Sequence, residues 1–149
     1  GDEENIHPVR KQPVGARLAL AARALAYGEH IEYSGPSYRS YSVDGDRIVL
    51  QFDHIGQGLV SHDGPLQGFT ICGADRKFQK AHAAIRGDTV VVWNETITKP
   101  IAVRYGWSDY PVVNLWNQDG LPASPFRTDD FRGLSWPAEP SSATHAVSP

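Results

Sequence analysis

Tyr38-Arg39-Ser40-Tyr41-Ser42-Val43, then Asp44-Gly45, then Arg47-Ile48-Val49-Leu50-Gln51-Phe52 is the stretch that decides the fold of this chain. The two outer runs are rich in aromatic and β-branched residues, and the Asp-Gly between them is a turn signal, so the stretch reads as two strands joined by a hairpin. In the second run Ile48, Leu50 and Phe52 alternate with Arg47, Val49 and Gln51, which puts the three apolar side chains on one face, the core face. The same character continues C-terminally at residues 68–71, 78–85, 89–93 and 101–105. Turn signals at Asp63-Gly64, Gly73-Ala74-Asp75 and Arg86-Gly87-Asp88 separate these runs. About six strands at this spacing predict a mainly β fold, an antiparallel β-sandwich and not a parallel sheet with helical crossovers.

N-terminal to these strands the period changes. Val14, Leu18, Ala21, Ala22 and Leu25 fall at helical spacing, with Pro13 near the start and Gly28 where a stop is expected. No other part of the chain has this period. The helix therefore needs an apolar partner, either the β-rich remainder or protein beyond this sequence, and the second is the reading taken here. Beyond Val113 the residues Leu115, Trp116, Leu121, Pro122, Pro125 and Phe126 form an extended, adhesive stretch expected to lie across a surface. Residues 133–149, rich in Pro, Ser and Ala, are expected to be disordered.

At 149 residues the chain is long enough for one domain with a real core. Its net charge of −3 gives no basic footprint for nucleic acid or an anionic membrane surface, and neither partner is expected. No apolar run approaches the roughly 18 residues that span a bilayer. Gly1-Asp2-Glu3-Glu4 has none of the features of a signal peptide, so any export signal is expected upstream, and the absence of Met suits a piece of a longer protein. The single Cys72 excludes an internal disulfide.

The chemistry concentrates just before the helix, in Glu3-Glu4-Asn5-Ile6-His7-Pro8. An imidazole can take a proton from a serine hydroxyl if a carboxylate fixes its tautomer and stabilises the imidazolium that forms; Glu4, three residues before His7, has that spacing. Pro8 confines the backbone of His7 to extended conformations, which suits a ring held at the edge of a site. Spacing alone would equally describe a solvated ion pair.

The surrounding text adds more. Asn5-Ile6-His7-Pro8 followed by Lys11-Gln12-Pro13-Val14-Gly15-Ala16-Arg17-Leu18-Ala19 resembles a block of the sialate O-acetylesterases and related polysaccharide acetylesterases, serine hydrolases of SGNH type. The resemblance continues through Tyr33-Ser34-Gly35-Pro36, the run from Phe52 to Leu59, Gly68-Phe69, Gly73-Ala74-Asp75 with Phe78, and Val103-Arg104-Tyr105-Gly106-Trp107. It ends with Asn114-Leu115-Trp116-Asn117 and the run from Gly120 to Asp129. It implies that residues 1–29 are the end of a flavodoxin-like SGNH esterase domain, carrying the catalytic histidine loop and last helix, and that residues 30–132 are a β-sandwich domain. It implies further that His7 is the triad histidine, with Glu4 as carboxylate where the family usually has Asp. The nucleophilic serine, in a Gly-Gln-Ser motif, would lie in the upstream part of the same enzyme, so this chain alone is expected to be inactive. The implied activity is removal of acetyl groups from an O-acetylated carbohydrate, sialic acid or a plant polysaccharide, in a periplasmic or secreted enzyme.

Two further clusters stand out. His54, in Asp53-His54 ahead of Gly56-Gln57-Gly58, is read as holding a strand end, with a place in the acetyl-sugar pocket as the alternative. Arg104, Trp107 and Asp109 are read as a structural cluster, with sugar stacking as the alternative. His30, His62, His82 and His145 lack metal-ligand spacing and no phosphate-binding glycine loop occurs, so neither a metal nor a cofactor is expected. A rival function from another class is a non-catalytic carbohydrate-binding β-sandwich module using Trp93, Trp107 and Trp116 as platforms.

Overall fold

The computed structural model describes Glu4, His7 and residues 11–132. It is mainly β, with one α-helix among the described residues. The tail expected over 133–149 lies outside them, as does His145.

The helix, α1 (Gln12–Leu25), begins with Pro13 in its first turn, where a missing N–H costs nothing, and ends before Gly28 at φ 72°. Arg23 in its last turn holds Glu29 beyond it through a 2.6 Å ion pair. None of its residues is fully buried. Arg17, Leu20, Ala21 and Ala24 are half-buried, whereas Val14, Leu18 and Leu25 are 50%, 67% and 71% exposed. The helix thus turns one side toward the β layers and leaves four of the five apolar positions named above, Ala22 included, in solvent.

The hairpin that opened the sequence reading is present as β1 (Ser37–Asp44) and β2 (Arg47–Asp53), antiparallel, with Val43 opposite Ile48. Its turn is Gly45-Asp46, one residue later than the Asp-Gly signal. Gly45 takes φ 59°, the glycine-first pattern of a two-residue hairpin. Gly87-Asp88 repeats it between β6 (His82–Arg86) and β7 (Thr89–Trp93). These four strands form one sheet in the order β1-β2-β7-β6.

A second four-stranded antiparallel sheet is built from β4 (Phe69–Cys72), β5 (Gln79–Lys80), β8 (Ala102–Tyr105) and β10 (Phe126–Arg127), in the order β10-β8-β4-β5. The single strand expected over 78–85 is therefore two. Lys80 pairs with Thr70 in the second sheet, the buried Ala81 turns the chain, and His82 pairs with Trp93 in the first. A two-stranded pair, β3 (Leu59–Ser61) with β9 (Leu115–Asn117), completes the architecture.

Both four-stranded sheets feed one core. Ile48, Leu50 and Phe52 are buried on β2, as the alternation required, and meet Val90, Val92, Phe69, Ile71, Val103 and Tyr105 in a single cluster. Phe126 bridges the layers, stacking on Tyr38 at 5.0 Å and standing edge-on to Phe52 at 5.6 Å from one sheet, while contacting Tyr105 at 5.6 Å in the other. Aromatic pairs at these separations add directional energy to the area they bury.

Candidate functional site

His7 and Glu4 both stand exposed at bends ahead of α1; Asn5, Ile6 and the run 8–10 around them lie outside the described residues. The helix they lead into carries Pro13, Ala16, Arg17 and Leu20 onto a groove of about 290 Å³. Trp116, Asp119, Gly120, Leu121 and Pro122 form its other wall. The helix is thus seated against the loop that follows β9.

That loop is fixed by Asn117, which is fully buried. Its side-chain amide donates to the carbonyls of Ser34 and His54, both at 3.1 Å, and its Oδ1 accepts from the Leu121 N–H at 2.9 Å. Glycines allow the close approach. A side chain on Gly35 would meet the Pro122 carbonyl oxygen at 1.9 Å, and one on Gly56 would meet the Asp119 carboxylate, which instead accepts from the Gln57 N–H at 2.9 Å. Tyr33–Pro36, His54–Gly58 and Asn114–Pro122, dispersed along the sequence, thus converge on one face.

On this face stands an imidazole–carboxylate pair that the sequence reading only half anticipated. His54 Nδ1 lies 2.8 Å from Glu32 Oε1. A carboxylate only accepts, so Nδ1 is the donor of this bond. Glu32 Oε1 also accepts from the Tyr33 and Ser34 N–H groups, and the Tyr33 ring meets the imidazole edge-on at 5.0 Å. His54 has φ 57°, a left-handed backbone uncommon for a residue with a Cβ. The strand-end role expected of His54 agrees with these bonds. Glu32 was not singled out, although it directly precedes the Tyr33–Pro36 block.

Arg104 is held differently from the reading. Its carboxylate partner is Asp129, through two bonds of 2.8 and 2.7 Å, whereas Asp109 stands exposed on the loop beyond the end of β8. The Arg104 guanidinium also packs 4.0 Å from the Phe78 ring centroid. Burial works to raise the Asp129 carboxyl, but the Arg104 bonds and charge outweigh it and hold the group below the ordinary carboxylate range, while Asp129 pushes Arg104 up. Of the other histidines, His62 stacks on Trp116 at 4.7 Å and His82 on Trp93 at 5.7 Å. Among the described residues no group of three His, Cys, Asp or Glu side chains could hold a metal ion, and no helix is long and apolar enough to cross a membrane.

No family model matches the chain. It is similar to sialate O-acetylesterases of Pongo abelii, 30% identical over 134 residues, and of Mus musculus, 28% identical over 132. Each match covers 82% of this chain, and the chain spans only 25% and 24% of those proteins. Among solved structures it is similar to a carbohydrate acetylesterase from Xanthomonas citri, with 50% identity and a TM-score of 0.84 over 88% of this chain and 31% of that one. These are esterases that act on acetylated carbohydrate. The chain belongs to the sialate O-acetylesterase-like family.

Proposed function

We propose that this chain is the C-terminal part of a serine-type carbohydrate O-acetylesterase and that it contributes the triad histidine, His7. In this reading α1 is the last helix of an SGNH esterase domain, and the two sheets are a β-sandwich domain packed against it. The observation that carries the reading is the pairing of a 50% identical esterase structure, only 31% of which is matched, with a helix whose Val14, Leu18 and Leu25 lie in solvent. Both are what a piece of a longer enzyme would have.

The chemistry is acyl transfer. His7 takes the proton of a serine hydroxyl on the upstream part as that oxygen attacks the acetyl carbonyl. The protonated His7 then gives the proton to the departing sugar oxygen. A water, deprotonated by His7, attacks the acetyl-enzyme and releases acetate. Glu4 is assigned to orient the imidazole, and no cofactor enters. The test is His7→Ala in the complete enzyme, expected to lower deacetylation by at least about a thousandfold with substrate affinity nearly intact. Normal turnover in that variant would overturn the assignment.

A further inference from the structure

Exposed apolar side chains are not spread evenly over the described residues. Of the eleven large ones left in solvent, four are on α1 and the turn after it, and four are on the loop from Gly106 to Asn114 that joins β8 to β9. These are Trp107, Tyr110, Val112 and Val113, at 53%, 48%, 64% and 37% exposure. Asp109 is the only charged residue of that loop. Apolar residues exposed singly are normal, but a cluster with a Trp, a Tyr and a single charge has the composition of the centre of an interface.

The loop is held at both ends. Gly106 leaves β8 at φ 63°, its N–H bonded to the Gly68 carbonyl at 3.0 Å, and a side chain on Gly68 would come within 2.6 Å of Val113. At the other end the buried Asn114 donates to the carbonyls of His62 and Pro65 at 2.7 and 2.9 Å and accepts from the Gln67 N–H at 2.8 Å. The Trp107 ring is held too. The guanidinium carbons of Arg127 and Arg104 lie over it at 5.5 and 5.9 Å, so a sugar ring would compete with two cations for its face. Beside it, Gly106, Ser108, Asp109 and Pro125 complete an open depression of about 390 Å³ able to receive a partner side chain. Burying a surface that is already ordered costs little further entropy. Val113 is three residues before Trp116 and Pro125 three after Pro122, at most about 11 Å along the chain in each case. Trp116 and Pro122 both line the groove under α1, so the loop borders the elements on which α1 sits.

We infer that the loop from Gly106 to Val113 is a second docking surface for the upstream part of the same polypeptide, separate from α1, with Trp107 as its anchor and an apolar, weakly charged face as its partner. This rests on the reading of the chain as part of a longer enzyme. The chain spans only 25% of the Pongo abelii relative, so in that reading three quarters of the polypeptide is available to cover α1 and the loop beside it.

The test is thiol labelling of the complete enzyme with one cysteine added at a time: Val112→Cys on the loop, Leu18→Cys on α1 and Val43→Cys on β1 as the reference. Peptide mass spectrometry reads each site separately, Cys72 is buried, and each rate is normalised to that of the urea-unfolded protein. Val112 and Val43 are similarly exposed in this chain, so without a partner they should label alike. With the upstream part docked, Val112→Cys should label at least about tenfold more slowly than Val43→Cys, because a covered thiol reacts only when the contact opens. Adding Trp107→Ala should restore most of the Val112→Cys rate and leave Val43→Cys unchanged; Trp107 is half in solvent, so that variant should stay folded. Equal rates at Val112→Cys and Val43→Cys, protection that fades on dilution as contact with a second copy would, or protection that needs added xylohexaose or sialyllactose would each overturn the inference. Leu18→Cys separates it from the reading on which it rests. Protection of Leu18→Cys with Val112→Cys open sinks the loop surface alone, whereas the reverse supports the loop surface and strikes the assignment of α1 to the esterase domain.

Discussion

Replacing Asp129 by Asn should cost the fold about 3 kcal/mol. The Asp129 side chain is wholly inaccessible and takes both guanidinium bonds, while Arg104 retains 20% exposure. Removing one partner of a buried pair costs about 3–5 kcal/mol, because the other charge is left uncompensated. Water reaching the exposed fifth of Arg104 places the value at the lower end. At about 4 °C per kcal/mol for a chain of this size, the melting temperature should fall by roughly 12 °C, read by calorimetry and by urea unfolding at pH 7. The pH dependence has a definite sign. Asp129 is held below its ordinary value in the folded state, so its stabilisation is complete above the unfolded pKa of about 3.9 and is lost as pH falls through the folded one. The gap between wild type and variant should therefore be widest near neutrality and shrink below about pH 4. Replacing both partners with Leu should recover much of the loss, since an apolar pair of similar volume can be nearly neutral. A loss under about 1 kcal/mol at pH 7, or a gap that persists on acidification, would refute the reasoning.

In the complete enzyme Glu4→Gln should remove a large share of the rate, whereas Asp2→Asn should be nearly silent; normal turnover in Glu4→Gln would make the site a dyad or place its orienting group outside this chain. The 149-residue chain alone should hydrolyse p-nitrophenyl acetate no faster than free imidazole, because a lone base has no nucleophile or oxyanion hole; an organophosphate-sensitive burst would contradict this. Gly35→Ala should destabilise by at least about 2 kcal/mol, since its Cβ would meet a backbone oxygen that cannot rotate away, and urea unfolding checks it. Leu18→Glu should reduce self-association of the isolated chain in sedimentation velocity without changing its circular dichroism; a wild-type chain that is monomeric at high concentration would argue against an unpartnered helix face.

Where the chain has a strong local pattern, the sequence and the structure agree. Thr89–Trp93 is a strand with the bounds its β-branched run suggested, and Ile48, Leu50 and Phe52 are the core positions their alternation required. Three strands escaped: Leu59–Ser61, Leu115–Asn117 and Phe126–Arg127 are too short for an alternation to register. The run 78–85 concealed a change of sheet, because the small, buried Ala81 continues the apolar pattern through the corner. His54 and Arg104 were visible as residues, but not with their partners. Glu32 lies 22 residues from one and Asp129 lies 25 from the other, and such pairings are made by tertiary approach, which local spacing does not encode.

The bonds of Asn117 also bear on how the chain acquires its structure during synthesis. They reach back 83 residues to Ser34 and 63 to His54. Contacts at such separation close late and slow the folding of the domains that depend on them. On a ribosome adding about 5–20 residues per second, the segment around Ser34 would wait roughly 4–17 s for Asn117 to be made. Until then the half-buried Leu20 of α1 lacks the loop that forms the other wall of its groove. The helix that follows His7 is thus expected to be a natural target for a holding chaperone on the nascent chain.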